Sequence, residues 1–186
     1  MDFVQQYFIE TGIGWAVMGA MFAVMFGGIG SARGIRIAAS EAAGAVAEKP
    51  ELFGKALILA ALPGTQGFYG FVIAFIIAAF TGLTSRGAAV KVSPLVGLGV
   101  LAIGFLAGMV QWKSAVNQGE VSAACINLTT KRPEEGGRAI LLPVLVETYA
   151  VVALLAAILF LFWLTPPDGL KFAAVSEVFT KVVAGQ

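Results

Sequence analysis

The chain has 186 residues, of which 59% are hydrophobic and 12% are charged, about half the charged share of soluble domains. This composition excludes an ordinary soluble domain and favours a membrane protein. The formal net charge of +1 gives no electrostatic basis for a nucleic-acid partner, and a single cysteine without any histidine excludes an internal disulfide and the commonest zinc ligand.

Four long apolar segments follow one another at about 12–46, 53–82, 94–128 and 139–165. Each is longer than the ~20 residues needed to span a bilayer, and in lipid the backbone must be hydrogen-bonded within its own segment. We therefore predict an all-α membrane protein with four transmembrane helices. The residues before the first helix include Asp2 and Glu10 but no basic residue, so that helix is expected to be retained rather than removed as a signal peptide.

Two of the breaks between these segments are alike: Glu-Lys-Pro-Glu at 48–51 and Lys-Arg-Pro-Glu at 131–134, here called the Pro-Glu turns. The likeness predicts an internal repeat of two tandem helical hairpins, 1–83 and 93–165, joined by an outer-side connection at 84–92. Aligning the Pro-Glu turns gives an offset of 83 residues (133 minus 50), whereas aligning Gln66 with Glu147 gives 81 (147 minus 66). The register of the repeat therefore stays open.

The helices differ in the size of their side chains. The first and third carry glycine, alanine and serine at helical spacing, whereas the second and fourth carry bulky residues such as Phe71, Phe75 and Phe160. Small residues let helices pack closely, which suits the inner wall of a ring of identical copies. One compact four-helix bundle is the alternative, but two small-residue helices are more than its single seam needs, so the pattern favours the ring.

Basic residues set the expected orientation, because they concentrate on the cytoplasmic side of membrane proteins. The Pro-Glu turns and their flanks hold Arg33, Arg36, Lys49, Lys55, Lys131, Arg132 and Arg138, and the opposite side holds Arg86, Lys91, Lys171 and Lys181. We expect a multi-pass protein of the cell membrane with both Pro-Glu turns in the cytoplasm and both termini outside.

The segment 166–186 continues beyond the fourth helix. Its apolar residues recur at helical spacing opposite Lys171, Glu177 and Lys181, which fits an amphipathic helix lying on the outer membrane surface. A frayed tail is the alternative interpretation.

Glu147 lies in the middle of the last apolar segment. A charged side chain at that depth costs ~2.5–3.5 kcal/mol on insertion scales, so an acid there indicates a functional site. Its charge must be neutralised by a proton, a cation or a basic side chain. A static salt bridge with Lys113, the nearest basic residue in depth, is the alternative to a functional role.

Polar side chains on two other helices reach a similar depth, roughly 13–20 Å from the Pro-Glu turns along the helices. Gln118 lies on the third helix, and four residues that share one face of the second helix around Pro63 are Leu62, Thr65, Gln66 and Tyr69. Pro63 also frees a backbone carbonyl in this turn. Carboxylate, amide, hydroxyl and carbonyl oxygens suit a hard cation, so we predict a cation site. Hydrogen bonding between helices is the alternative role for the amides.

The chain resembles the proteolipid K (c) subunit of V-type ATPases, in particular the bacterial sodium-pumping kind. Three motifs carry the resemblance: Leu-Pro-Gly-Thr-Gln-Gly at 62–67 with Tyr69, Asn-Gln-Gly at 117–119, and Val-Glu-Thr-Tyr-Ala at 146–150. The resemblance spans about residues 10–165.

The resemblance implies a non-catalytic rotor subunit. Identical copies would form a ring among membrane lipids, joined to a central-stalk subunit and facing a stator subunit with an essential arginine, while other subunits hydrolyse or synthesise ATP. It also implies a Na⁺ site formed by the Leu62 carbonyl, the Thr65 hydroxyl, the side-chain oxygens of Gln66 and Gln118, and Glu147. The Tyr69 hydroxyl would hydrogen-bond Glu147 and hold the site closed.

Three other functions stay open at this point. The same rotor could carry H⁺, which needs little beyond Glu147, whereas Thr65, Gln66 and Gln118 together favour a metal ion. A small secondary transporter built from repeats would be expected to have an acid in each half, and a structural pore would need no cation site.

Overall fold

The computed structural model describes residues 2–84 and 92–165. These residues form four long apolar helical spans, Ile13–Glu48, Pro50–Phe80, Pro94–Lys131 and Pro133–Leu164, each long enough to cross a membrane. A short π-helix, Gln5–Glu10, precedes the first span. The predicted all-α class with four transmembrane helices is confirmed. The segment 166–186 and most of the predicted connection 84–92 lie outside the described residues.

The first and third spans are continuous helices, α1 (Ile13–Glu48) and α4 (Pro94–Lys131). The second span consists of the short 3₁₀ turn Pro50–Leu52, helix α2 (Phe53–Ala61), the 3₁₀ turn Leu62–Gly64 and helix α3 (Thr65–Phe80). The fourth consists of the 3₁₀ turn Pro133–Glu135, the short helix α5 (Gly136–Ala139) and helix α6 (Leu141–Leu164). Each span after the first thus begins at a proline, which is suited to a first helical position because its missing N–H has no partner there.

The two small-residue helices, α1 and α4, run parallel and in close contact. Residues 85 apart face each other across the contact, so a methyl group on Gly104 would overlap the Gly19 carbonyl and one on Gly119 would overlap the Gly34 carbonyl. Such approach of backbones is possible only where side chains are absent, which is the physical role of the small-residue stripes.

Helices α3 and α6 pack on the outside of this pair. Their bulky side chains, including Phe68, Phe71, Phe75 and Phe160, are exposed on the surface of the single chain. Near the Pro-Glu turns, the first hairpin is fastened to the second by two lysines: Lys49 Nζ donates to the Thr130 carbonyl (2.6 Å) and Lys55 Nζ to the Pro133 carbonyl (2.7 Å). Ammonium groups there also complement the negative end of α4.

The apolar core is divided into two clusters with a polar layer between them. One cluster lies near the Pro-Glu turns and contains Leu59, Cys125 and Ile126 with several alanines. The other lies near the opposite ends of the helices and contains Ile73, Ile77 and Leu161. The layer between them holds the buried Gln66, Gln111 and Gln118, which positions the candidate site inside the membrane-spanning part of the chain.

Candidate functional site

The site begins at the break in the second span. Pro63 cannot donate a backbone hydrogen bond to the Leu59 carbonyl, and the chain tightens into the 3₁₀ turn Leu62–Gly64. The Thr65 hydroxyl lies 3.1 Å from the Leu62 carbonyl and 3.3 Å from Gln66 Oε1, and its single proton can be donated to either. Three oxygens from residues within one helical turn, Leu62, Thr65 and Gln66, are thereby gathered at the start of α3.

Gln66 carries the network across to the second hairpin. Its Nε2 donates to Gln118 Oε1 on α4 (2.6 Å), with the Ser114 hydroxyl at a longer 3.5 Å. Gln118 Nε2 in turn donates to the Pro143 carbonyl (3.0 Å) and to Glu147 Oε2 (3.3 Å). Both amides are fully buried.

The Glu147 carboxylate accepts hydrogen bonds from two residues of the network. Its Oε1 accepts a 2.6 Å hydrogen bond from the Tyr69 hydroxyl and its Oε2 accepts from Gln118 Nε2. Both donors are neutral, and within residues 2–84 and 92–165 the ion pair found joins Arg138 to Glu135 near the second Pro-Glu turn. The described structure therefore does not contain the salt bridge between Glu147 and Lys113 that was considered as an alternative.

All six residues singled out in the sequence thus lie in one connected network of polar contacts, in which Thr65 donates its single proton to either Leu62 or Gln66. The contacts run in the order Leu62, Thr65, Gln66, Gln118, Glu147, Tyr69. They come from three helical spans of a single chain, and both hairpins contribute. The arrangement can present hydroxyl, amide, carbonyl and carboxylate oxygens to one hard cation, or one carboxyl group to a proton.

Several polar residues in the same layer were not singled out from the sequence. Ser31 Oγ accepts from the Gly67 backbone N–H (2.8 Å), Ser114 Oγ donates to the Val146 carbonyl (3.3 Å), and Gln111 Nε2 donates to the Ala150 carbonyl (2.9 Å). The spacing of positions 111, 114 and 118 places all three on one face of α4, and that spacing was the available signal.

Among the described residues, Gln111 Oε1 is buried without a hydrogen-bond partner. An unpaired buried acceptor costs about 1–3 kcal/mol, whereas a typical hydrogen bond contributes a net ~0.5–1.5 kcal/mol. The bond from Gln111 to α6 therefore does not by itself explain, on stability grounds, why an amide is present.

Both halves of the chain match the family model for the C subunit of ATP synthase, at residues 18–77 and 101–160. The chain belongs to this family. The matched segments begin 83 residues apart (101 minus 18), which confirms the predicted repeat and agrees with the alignment of the Pro-Glu turns. In that register the first-half counterpart of Glu147 is Gly64 (147 minus 83), so only the second half carries the acid.

Two relatives narrow the assignment within this family. The chain is 40% identical over 148 residues to the V-type sodium ATPase subunit K of Enterococcus hirae, covering 80% of this chain and 90% of that protein. It is 39% identical over 144 residues to the A-type ATP synthase subunit K of Methanocaldococcus jannaschii, covering 77% of this chain and 60% of that protein. The predicted resemblance to the K subunits is confirmed.

Membership of this family identifies the chain as a rotor subunit of a V/A-type ATPase, a multi-pass membrane protein that is itself non-catalytic. The prediction that ATP chemistry belongs to other subunits is thereby confirmed. The family assignment also replaces the secondary-transporter and structural-pore alternatives.

Proposed function

We propose that this rotor protein transports Na⁺, bound one ion per chain by the Leu62 carbonyl, the Thr65 hydroxyl, the side-chain oxygens of Gln66 and Gln118, and the Glu147 carboxylate. As the ring turns, each ion crosses the membrane with its subunit, coupled to ATP hydrolysis or synthesis elsewhere in the complex. The observation that carries the proposal is the connected set of oxygens around one partly buried acid in the membrane-spanning part of the chain.

The number of oxygens favours Na⁺ over H⁺. A proton is held by one carboxyl group, and the neutral oxygens of Thr65, Gln66 and Gln118 would then be surplus. A metal ion that has lost its water needs several oxygen ligands in place of its hydration shell. One carboxylate with one monovalent cation is also neutral overall, which lowers the cost of moving the pair through lipid. The relative named as a sodium ATPase subunit K supports the same choice.

The amides need to reorient when the ion binds. In the hydrogen-bond network described above, Gln118 turns Nε2 towards Glu147 and Oε1 towards Gln66. A cation beside the carboxylate would favour the opposite orientation, with Gln118 Oε1 facing the ion and Nε2 donating to Gln66 Oε1. The two amides can exchange these roles by rotating their terminal groups, because each offers both a donor and an acceptor. Gln118 then gives up its hydrogen bond to the Pro143 carbonyl, so in the ion-bound state α4 is joined to α6 by the bonds from Ser114 and Gln111.

Tyr69 acts as the latch of the site in this proposal. Its hydroxyl donates to Glu147 Oε1 and holds the carboxylate towards the amides and the Leu62 turn. An arginine of the stator subunit would compete for the carboxylate and release the ion. The remaining partners are identical subunits in the ring, the central-stalk subunit and membrane lipids, with both Pro-Glu turns in the cytoplasm and both termini outside.

Replacing two ligands tests the proposed site. In the Thr65→Ala/Gln66→Ala variant, we expect the Na⁺ concentration that protects Glu147 from a carboxyl-reactive carbodiimide to rise at least about tenfold, because even indirect partners of a metal site contribute about 10–100-fold in affinity. The measurement is the labelling rate of purified rings as Na⁺ is added.

A matched control uses Thr81, a buried threonine that caps the end of the same span and whose hydroxyl donates to the Ile77 carbonyl (2.7 Å), far along the helix from the site. Thr81→Ala should leave protection unchanged. If the double variant were protected as well as the native ring, Thr65 and Gln66 would not be ligands.

A further inference from the structure

Helix α4 is joined to α6 by a ladder of three hydrogen bonds from side chains to backbone carbonyls. In order from the Pro-Glu turns, they are Gln118 Nε2 to Pro143 (3.0 Å), Ser114 Oγ to Val146 (3.3 Å) and Gln111 Nε2 to Ala150 (2.9 Å). The donors share one face of α4, and the acceptors follow one strip of α6.

The ladder brackets Glu147. One acceptor lies four residues before it, one immediately before it, and one three residues after it. A slide of α6 by one residue would move each carbonyl by about 1.5 Å along the axis and rotate it by about 100°, which would break all three bonds together. The ladder therefore sets both the height and the rotation of the carboxylate relative to α4.

Apolar packing alone specifies this register weakly. The buried positions of α6 include Ala150 and Ala157, and beyond Gln111 the alanines Ala107 on α4 and Ala157 on α6 line a cavity between the two helices. Small side chains give few knobs that fit into holes, so two such surfaces can shift against each other. Directional hydrogen bonds to fixed carbonyls do not tolerate that shift.

Gln111 belongs to the ladder although its surroundings leave one of its polar atoms without a hydrogen-bond partner among the described residues. Its side chain is fully buried, and within the described part of the chain its Oε1 has no hydrogen-bond partner. A leucine of similar volume would fill the position without leaving an acceptor unpaired. A role in fixing α6 accounts for the amide where a contribution to stability does not.

We propose that Gln111, acting with Ser114, is a positioning residue for the transported cation. Neither side chain belongs to the proposed ligand set. Through the Ala150 and Val146 carbonyls they fix α6 so that Glu147 meets Gln118 and Tyr69 at the geometry that Na⁺ requires. This inference rests on the proposed function, because it assigns the ladder to the cation site.

The Gln111→Leu variant of the assembled ring tests the inference. The probes are Na⁺ and Li⁺ alone, and the readout is the concentration of each that halves carbodiimide labelling of Glu147. We expect Na⁺ protection to weaken about tenfold, as for other groups that orient metal ligands. We also expect the ratio of Na⁺ to Li⁺ affinity to change, because a shifted carboxylate alters the size of the site. A loss of packing alone would not change that ratio.

Ser122→Ala is the matched control, since Ser122 is buried on α4 and, within the described residues, its Oγ has no hydrogen-bond partner. It should bind both ions as the native ring does. If Gln111→Leu does not assemble, Gln111→Met removes the same donor from a side chain of equal length. If the assembled variant had native Na⁺ affinity and native selectivity, the positioning role of Gln111 would be overturned and the proposed function would still stand. A native ring that Na⁺ does not protect would instead overturn the proposed function, and this inference with it.

Discussion

Glu147→Gln is expected to assemble into a ring that transports no cation. The amide has nearly the shape of the carboxylate and can still accept a hydrogen bond from Tyr69 at the position of Oε1. It lacks the negative charge that balances a bound ion in a low-dielectric site, and that balance is what makes carriage through lipid possible. Na⁺ uptake by proteoliposomes that contain the complete ATPase measures transport, and native mass spectrometry measures assembly.

Glu120→Gln supplies the control for this experiment. Glu120 is also an acid on a membrane-spanning helix, but its side chain is exposed on α4 and belongs to no described part of the site. Transport should persist in this variant. Unimpaired transport by Glu147→Gln would contradict the assignment of the ion-carrying residue.

Gly104→Ala is expected to reduce greatly the yield and thermal stability of the assembled protein. The added methyl group would overlap the Gly19 carbonyl, so α1 and α4 would have to move apart along their whole parallel contact. Overpacking of an interior typically costs about 1–3 kcal/mol, and backbone cannot give way as a flexible side chain can. Thermal unfolding of the purified ring in mild detergent provides the measurement.

The comparison for Gly104→Ala is Gly44→Ala on α1, where a methyl group would meet nothing within 4 Å. That substitution should be neutral or slightly stabilising, because alanine is favoured over glycine in a helix by about 1 kcal/mol. Equal behaviour of the two variants would show that the close α1–α4 contact does not hold the protein together.

The four spans could be predicted from the sequence because each exceeds the membrane thickness in apolar length. The first and last residues of the helices were harder to predict from the sequence. The second span begins at Pro50 and the fourth at Pro133, several residues before the apolar runs start, because a 3₁₀ turn led by proline extends each helix into the charged turn. A hydropathy profile falls at the charged residues of those turns, so it ends the apolar segment there. It contains no information that a proline can begin a helix at that position.

The site was predictable in part. Helical spacing placed Thr65, Gln66 and Tyr69 on one face of the second helix, and depth matched them to Gln118 and Glu147. Neither argument could show that those faces meet, since the meeting depends on how α3 and α6 pack on α4. Gln111 was missed because it lies between Val110 and Trp112 in an apolar stretch. Its helical spacing from Gln118 was the signal in the sequence, and its bond to a backbone carbonyl of another helix shows what it contacts.

The register of the repeat illustrates the same limit. Aligning Gln66 with Glu147 treats them as equivalent because both are polar, yet the two family matches place Gly64 opposite Glu147. Gln66 reaches the carboxylate's neighbourhood by packing across from the other hairpin, where it bonds to Gln118, and not by repeat symmetry. Proximity in the fold and equivalence in the sequence are separate properties here.

The identity of the transported ion is tested most directly by the carbodiimide labelling rate of Glu147 in native rings, measured over a range of Na⁺ concentrations at several pH values with choline replacing Na⁺ at constant ionic strength. If Na⁺ is the cargo, it slows labelling at every pH, and the Na⁺ concentration for half-protection rises as the pH falls, because protons compete for the same carboxylate. A labelling rate that follows pH alone and does not respond to Na⁺ would contradict this account and identify the site as a proton carrier.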